Sequence, residues 1–111
     1  MSRASELSVA LEARQTNHEG VIVDWLGAAP GAFDGVLLNA GGYTHTSVAI
    51  RDAISAAALP CVEVHLTNTD AREPFRRRSL IAPVCSGRIM GFGGDSYLLG
   101  LDGLLRILAR R

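Results

Sequence analysis

Apolar and polar residues alternate from Ser8 to Gln15 (SVALEARQ), with Val9, Leu11 and Ala13 on one side, a pattern that predicts a strand. After Asn17 the period lengthens. Val21, Ile22, Trp25 and Leu26 form the stripe of a helix from His18 to about Ala29, with Asn17 placed to cap it. Pro30, Gly31 and Gly35 bracket a loop, and Val36 to Leu38 reads as a short buried strand. Thr44 is placed to cap a second helix running through Ala58, with Val48 and Ile54 turned inward, and Pro60 ends that connection. Cys61 to Leu66 (CVEVHL) is the third predicted strand, and a polar segment, TNTDAREPFRRRS, follows at 67 to 79. Gly87 to Phe92 (GRIMGF) is the fourth strand. Asp95 or Ser96 opens a last helix whose apolar side is Leu98, Leu99, Leu101, Leu104, Leu105 and Leu108.

Strands alternating with helices predict an α/β fold, a parallel sheet with helices on both faces. Residues 1–111 form a single domain without internal repeats or a linker. In such sheets ligands bind beyond the carboxyl ends of the strands. Asn39 ends one strand; His65, Thr67 and Asn68 end the next, and Arg72 and Arg76 follow. The loop after Asn39 adds Thr44, His45, Thr46 and Ser47, more hydrogen-bonding groups than a tight turn at Gly41 and Gly42 requires.

Charge narrows the partners. Eleven acidic residues balance eleven basic ones, so nucleic acid and anionic membrane, which favour a basic excess, are not expected partners. All eleven basic residues are arginines. The absence of lysine excludes a Schiff base formed by a lysine side chain, and planar guanidiniums suit paired hydrogen bonds to carboxylates and hydroxyls. Cys61 and Cys85 lie in apolar runs without CxxC spacing, as expected of buried free thiols in a reducing compartment. The N-terminal stretch MSRASELSVALEARQ has no signal-peptide core, and no run reaches the roughly 18 apolar residues of a membrane span; a cytoplasmic protein is expected.

The candidate chemistry centres on EVHLTN, residues 63 to 68. On a strand Glu63 and His65 share a face, and a carboxylate beside an imidazole orients the ring and favours its protonated form, which suits a general acid. A lone histidine there would more commonly satisfy a strand-end hydrogen bond; the flanking polar strand ends favour the functional reading. The N–H groups of Leu66 and Thr67 lie where the ladder stops and are free to meet a small carboxylate, although Thr67 fits a simple turn equally well. Arg72 and Arg76 would share one side of a helical turn. The run Arg76, Arg77, Arg78 reads as a solvated face or as partners of Asp70 and Glu73 rather than as a nucleic-acid contact. The GFGG stretch at 91 to 94 matches neither a P-loop nor GxGxxG and is read as a strand end, and cap chemistry accounts for His18.

RQTNHEG at 14 to 20, LNAGGYTHTSVAIRDA at 38 to 53, EVHLTN with Arg72 and FRRRS at 63 to 79, and GDSYLLGL after the glycine-rich strand occur in order along essentially the whole chain. Together they resemble type II 3-dehydroquinate dehydratase, an enzyme of the shikimate pathway and so of chorismate and aromatic amino acid biosynthesis. The resemblance implies a flavodoxin-like fold, trimers gathered four to a homododecamer, and anti elimination of water from 3-dehydroquinate through an enolate, with no metal, cofactor or Schiff base. Carried onto matching positions, His65 would protonate the departing hydroxyl and Glu63 would support it. Asn39 would orient a water or the ring beside the enolate, and Leu66 and Thr67 would hold the carboxylate. His45 and Arg76 would bind ring hydroxyls, Asp52 would reach a neighbouring subunit's site, and Arg72 would lie beside this set.

The family's GPNLN-like first strand, and the lid carrying an arginine and the tyrosine base, have no match in this chain; Tyr43 and Tyr97 do not correspond to the lid. The expectation is therefore an N-terminally truncated dehydroquinase-type domain, its first strand missing from between the strands at 8 to 15 and 36 to 39. Those strands would close up, accept another chain, or stay unpaired. The alternative is an inactive relative that keeps the ligand-binding or oligomer-forming surface. A different flavodoxin-like module, such as a receiver domain, ranks last because its acidic cluster and lysine are absent.

Overall fold

The CVEVH run forms the middle of the sheet and is buried at every position, flanked by a strand on each side and covered on both faces. In the computed structural model, which describes residues 9–111, three parallel strands lie in the order β1 (Val36–Leu38), β2 (Cys61–His65), β3 (Gly87–Met90). The register places Leu38 beside Glu63, Glu63 beside Arg88, and His65 beside Met90. Helices α1 (Glu19–Ala28) and α2 (Val48–Ala57) pack together on one face, where Ile22, Leu26, Ile50 and Ile54 surround Cys61 and Ile81. Helix α3 (Asp95–Ala109) covers the other face, with Leu104 against Val62 and Val64. Burying each such side chain stabilises the fold by about 1.5–3 kcal/mol. Gly100 sets the approach of α3, because a Cβ there would lie 3.2 Å from Val64 Cγ2 and 3.5 Å from Leu37 Cδ2.

The α/β architecture with helices on both faces agrees with the expectation; several boundaries do not. No strand forms at 9 to 15, and Leu11 is exposed; Ser8 lies outside the described residues. Alternation supplies a face for a strand but not a ladder, and no neighbouring strand pairs with this segment among the described residues. The third and fourth strands stop at His65 and Met90, short of Leu66 and Phe92. Gly91, at φ 94°, turns the chain out of the sheet. In α3, Leu101 and Leu104 are buried, whereas Leu99 faces solvent.

The helix caps also differ. His18, not Asn17, occupies the cap of α1, and its N–H donates to Thr16 Oγ1; the Asn17 carbonyl instead accepts from the Tyr43 hydroxyl. Asp95 opens α3 as expected, with Gly94 at the cap position, and Ser96 Oγ accepts from the Phe92 N–H. Thr44 does not cap α2. It lies in a 3₁₀ turn, Gly41–His45, and Ser47 Oγ accepts from the Ile50 N–H at 2.9 Å. The extra turn, closed by Tyr43 N–H to Ala40 O, moves the helix start three residues along. Thr44 is fully buried, and among the described residues its hydroxyl has no hydrogen-bond partner.

This exchange of roles gives opposite expectations for two variants. Ser47→Ala is expected to cost about 1 kcal/mol, the usual loss of a cap. Thr44→Val, which removes an unpartnered buried hydroxyl at constant shape, is expected to leave stability unchanged or raise it by up to about 1 kcal/mol. Urea unfolding of the two proteins checks both signs.

Candidate active site

The site lies at the carboxyl ends of β1 and β2, on the face covered by α1 and α2. Period-two alternation puts Val62 and Val64 under α3 and turns Cys61, Glu63 and His65 the other way. Glu63 has no solvent exposure, and its carboxylate is fully engaged. Oε2 lies 2.5 Å from His65 Nε2 and accepts from Arg88 Nε at 3.1 Å, while Oε1 accepts from Ser79 Oγ at 3.0 Å. Burial pushes the Glu63 carboxyl up. The His65 hydrogen bond, the Arg88 charge and the Ser79 hydroxyl together outweigh it, so Glu63 stays ionised below the ordinary carboxylate range. An ionised partner at Nε2 fixes the tautomer of His65: Nε2 carries a proton, and Nδ1 has no hydrogen-bond partner among the described residues. Such a ring is oriented to exchange a proton at Nδ1.

His45, from the 3₁₀ turn after β1, stacks toward His65 with ring centroids 6.4 Å apart and planes at 16°. Its Nδ1 lies 2.7 Å from the Arg78 carbonyl, which can only accept, so Nδ1–H donates and Nε2 is left for a ligand. Phe75 meets the His45 ring edge-on at 5.8 Å, and the Arg76 guanidinium lies 4.8 Å over Phe75 while its Nε donates to Glu73. The 67 to 79 segment folds into two short 3₁₀ turns, Thr69–Ala71 and Pro74–Arg77, that carry this aromatic and basic group over the strand ends.

Asn39 ends β1. Its Oδ1 accepts from the Gly41 N–H at 3.0 Å, which assigns the amide, and Nδ2 donates to the Tyr97 hydroxyl at 3.1 Å. Leu66 and Thr67 are exposed just past the last β2–β3 pair, and neither N–H donates to a backbone carbonyl among the described residues. The structure thus groups Glu63, His65, His45 and, through Phe75, Arg76, with Asn39, Leu66 and Thr67 at the adjoining strand ends. It does not tie Asp52 or Arg72 to them. Asp52 is exposed on α2 and Arg72 is exposed between the 3₁₀ turns, and among the described residues no hydrogen bond or ion pair joins either to this group.

Three members were not singled out from the sequence. Arg88 is the cross-strand partner of Glu63, legible only once the β2–β3 register is known. Ser79 lies at the end of the polar segment, where nothing local distinguishes it from a turn residue. Tyr97 reaches Asn39 from α3, 58 residues away, and no local signal marks that pairing. Among the described residues no cluster of metal-ligating side chains forms, and no helix is long and apolar enough to cross a membrane.

The family model described as "Dehydroquinase class II" matches residues 1–105. A 3-dehydroquinate dehydratase of Geotalea daltonii is 60% identical over 98 residues, 88% of this chain and 68% of that protein. One of Campylobacter jejuni is 57% identical over 104 residues, 94% of this chain and 65% of that protein. The chain thus spans about two thirds of the length of these relatives. The crystal structure of a type II dehydroquinase from Butyrivibrio crossotus superposes with a TM-score of 0.91 at 39% identity, over 94% of this chain and 73% of that one. A second, from Propionibacterium acnes, gives 0.89 at 34% identity, over 95% and 77%. With these neighbours, the three-stranded parallel sheet is flavodoxin-like.

Proposed function

Because this chain belongs to the class II dehydroquinase family, we propose that it carries the acid side of a 3-dehydroquinate dehydratase site, a hydro-lyase removing water from 3-dehydroquinate to give 3-dehydroshikimate. The buried Glu63–His65 pair carries this reading. Loss of a hydroxyl from an enolate requires a proton delivered to the departing oxygen, and a histidine held at Nε2 by an ionised carboxylate presents one at Nδ1. Glu63 stabilises the imidazolium before transfer and keeps the ring aimed during it. Ser79 and Arg88 hold the carboxylate in turn.

The remaining groups suit a small polyhydroxylated acid. The free N–H groups of Leu66 and Thr67 form a short anion-binding edge for the substrate carboxylate. His45 Nε2 and the Arg76 guanidinium bind ring hydroxyls. Asn39, fixed at both ends of its amide, directs its second N–H at the developing enolate oxygen or at a water beside it. Arg72 lends positive charge near the carboxylate. Asp52, exposed on α2, contacts the site of a neighbouring subunit in a trimer-based assembly, four trimers making a dodecamer. The protein acts in the cytoplasm, on a small-molecule substrate, in the shikimate pathway.

The test is spectrophotometric. 3-Dehydroquinate added to the protein should yield the conjugated enone absorbance of 3-dehydroshikimate, with no added metal or cofactor. A folded protein that neither turns over nor binds 3-dehydroquinate would overturn the reading. Within it, Tyr97→Phe is expected to lower kcat about 2- to 10-fold at nearly unchanged stability, the effect of one lost hydrogen bond of about 0.5–1.5 kcal/mol to a positioned amide.

A further inference from the structure

The dehydration chemistry leaves two nucleophiles unused. Cys61 opens β2 on the same face as Glu63 and His65 and is almost fully buried, at 2% exposure. Cys85 follows the 3₁₀ turn Ala82–Val84 and is half-buried, packed against the core cluster that contains Cys61. The backbone holds them together: Ser86 N–H donates to the Cys61 carbonyl at 2.8 Å, and the register Val62↔Gly87 brings Cys85 to the start of β3 beside the start of β2. Both are free thiols.

We infer that Cys61 and Cys85 form a dithiol that a small disulfide oxidises to an internal disulfide. Cys85 is the attacking group. It is the more accessible thiol, and the neighbouring Cys61 thiol and the nearby Arg88 charge favour its thiolate over the opposing effects of burial and Glu63. Cys61 is the resolving group: the adjacent Cys85 sulfur, together with burial, holds it protonated until Cys85 has reacted. In the first step the Cys85 thiolate attacks one sulfur of the small disulfide, forming a mixed disulfide and expelling one small thiolate. In the second, Cys61 loses its proton to solvent and attacks Cys85 Sγ, forming the Cys61–Cys85 bond and expelling the second thiolate. Two protein thiols are oxidised and one small disulfide is reduced to two thiols.

The position of the bond gives it a consequence. It would close the chain between 61 and 85, the span containing Glu63, His65, Arg76 and Ser79. Oxidation would therefore restrain the polar segment that roofs the strand ends, from a point remote from the substrate groups.

The experiment needs no substrate and so stands apart from the dehydratase reading. The folded protein is incubated with oxidised glutathione and its intact mass followed. The expected product is the chain lacking two hydrogen masses, with no glutathione retained, and restored by a thiol reductant. Cys61→Ser should stop at a single glutathione adduct, and Cys85→Ser should react at least about tenfold more slowly than the wild type. A wild-type chain that only accumulates glutathione adducts, or that stays unmodified while folded yet reacts fully in denaturant, overturns the proposal. The wild-type result decides the matter even where a serine variant folds poorly.

Discussion

Replacing His65 with alanine is expected to lower kcat for dehydration by about 10²- to 10⁴-fold, the usual contribution of a positioned general acid. KM should change little, because the proton is needed in the transition state rather than in the bound ground state. The variant should still fold, since Glu63 would keep its hydrogen bonds from Arg88 and Ser79. Steady-state kinetics alongside a urea unfolding curve separate the two effects. Turnover near the wild-type rate from a folded His65→Ala protein would remove His65 from the mechanism.

Glu63→Ala should be the most destabilising change at the site. It removes the common partner of His65, Arg88 and Ser79 from a fully buried position. Breaking a buried ion pair from one side costs about 3–5 kcal/mol. The lower end, about 3 kcal/mol, is expected here because the Arg88 side chain keeps 30% of its surface exposed and turns to water. The same carboxylate gives stability a pH dependence of known sign. The Glu63 pKa is lower in the folded protein than in the unfolded chain, where a glutamate titrates near about 4.3. The folded state therefore gains stability from Glu63 above that pH and loses it as pH falls through the folded value. Urea midpoints measured across the acid range should decline in the wild type, and this part of the decline should be absent in Glu63→Ala. Equal slopes in the two proteins would contradict the assignment.

Part of the candidate site was legible because its geometry is local. Glu63 and His65 are two residues apart on a strand, so their shared face follows from alternation alone, although the strand ends at His65, one residue before the expected end at Leu66. Asn39 and His45 flank the small-residue loop after β1. Arg88, Ser79 and Tyr97 were not legible, because each meets its partner across the sheet or across the molecule. Thr44 misled for a related reason. A threonine before an apolar-periodic run fits a cap, and only the intervening 3₁₀ turn shows that Ser47 does the capping while Thr44 is buried.

Residues 9 to 15 mark the clearest division. Alternation gives this segment a strand-like face, yet a strand exists only where a neighbour completes its hydrogen bonds. By itself the sequence determined the α/β alternation, the buried character of β2, the polar strand ends and the family resemblance, because periodicity and short motifs encode these within a few residues. The tertiary structure alone decided which carboxylate, guanidinium, hydroxyl and thiol become neighbours. Those pairings depend on register and on the seating of 3₁₀ turns over the strand ends, which many residues far apart in the chain settle together.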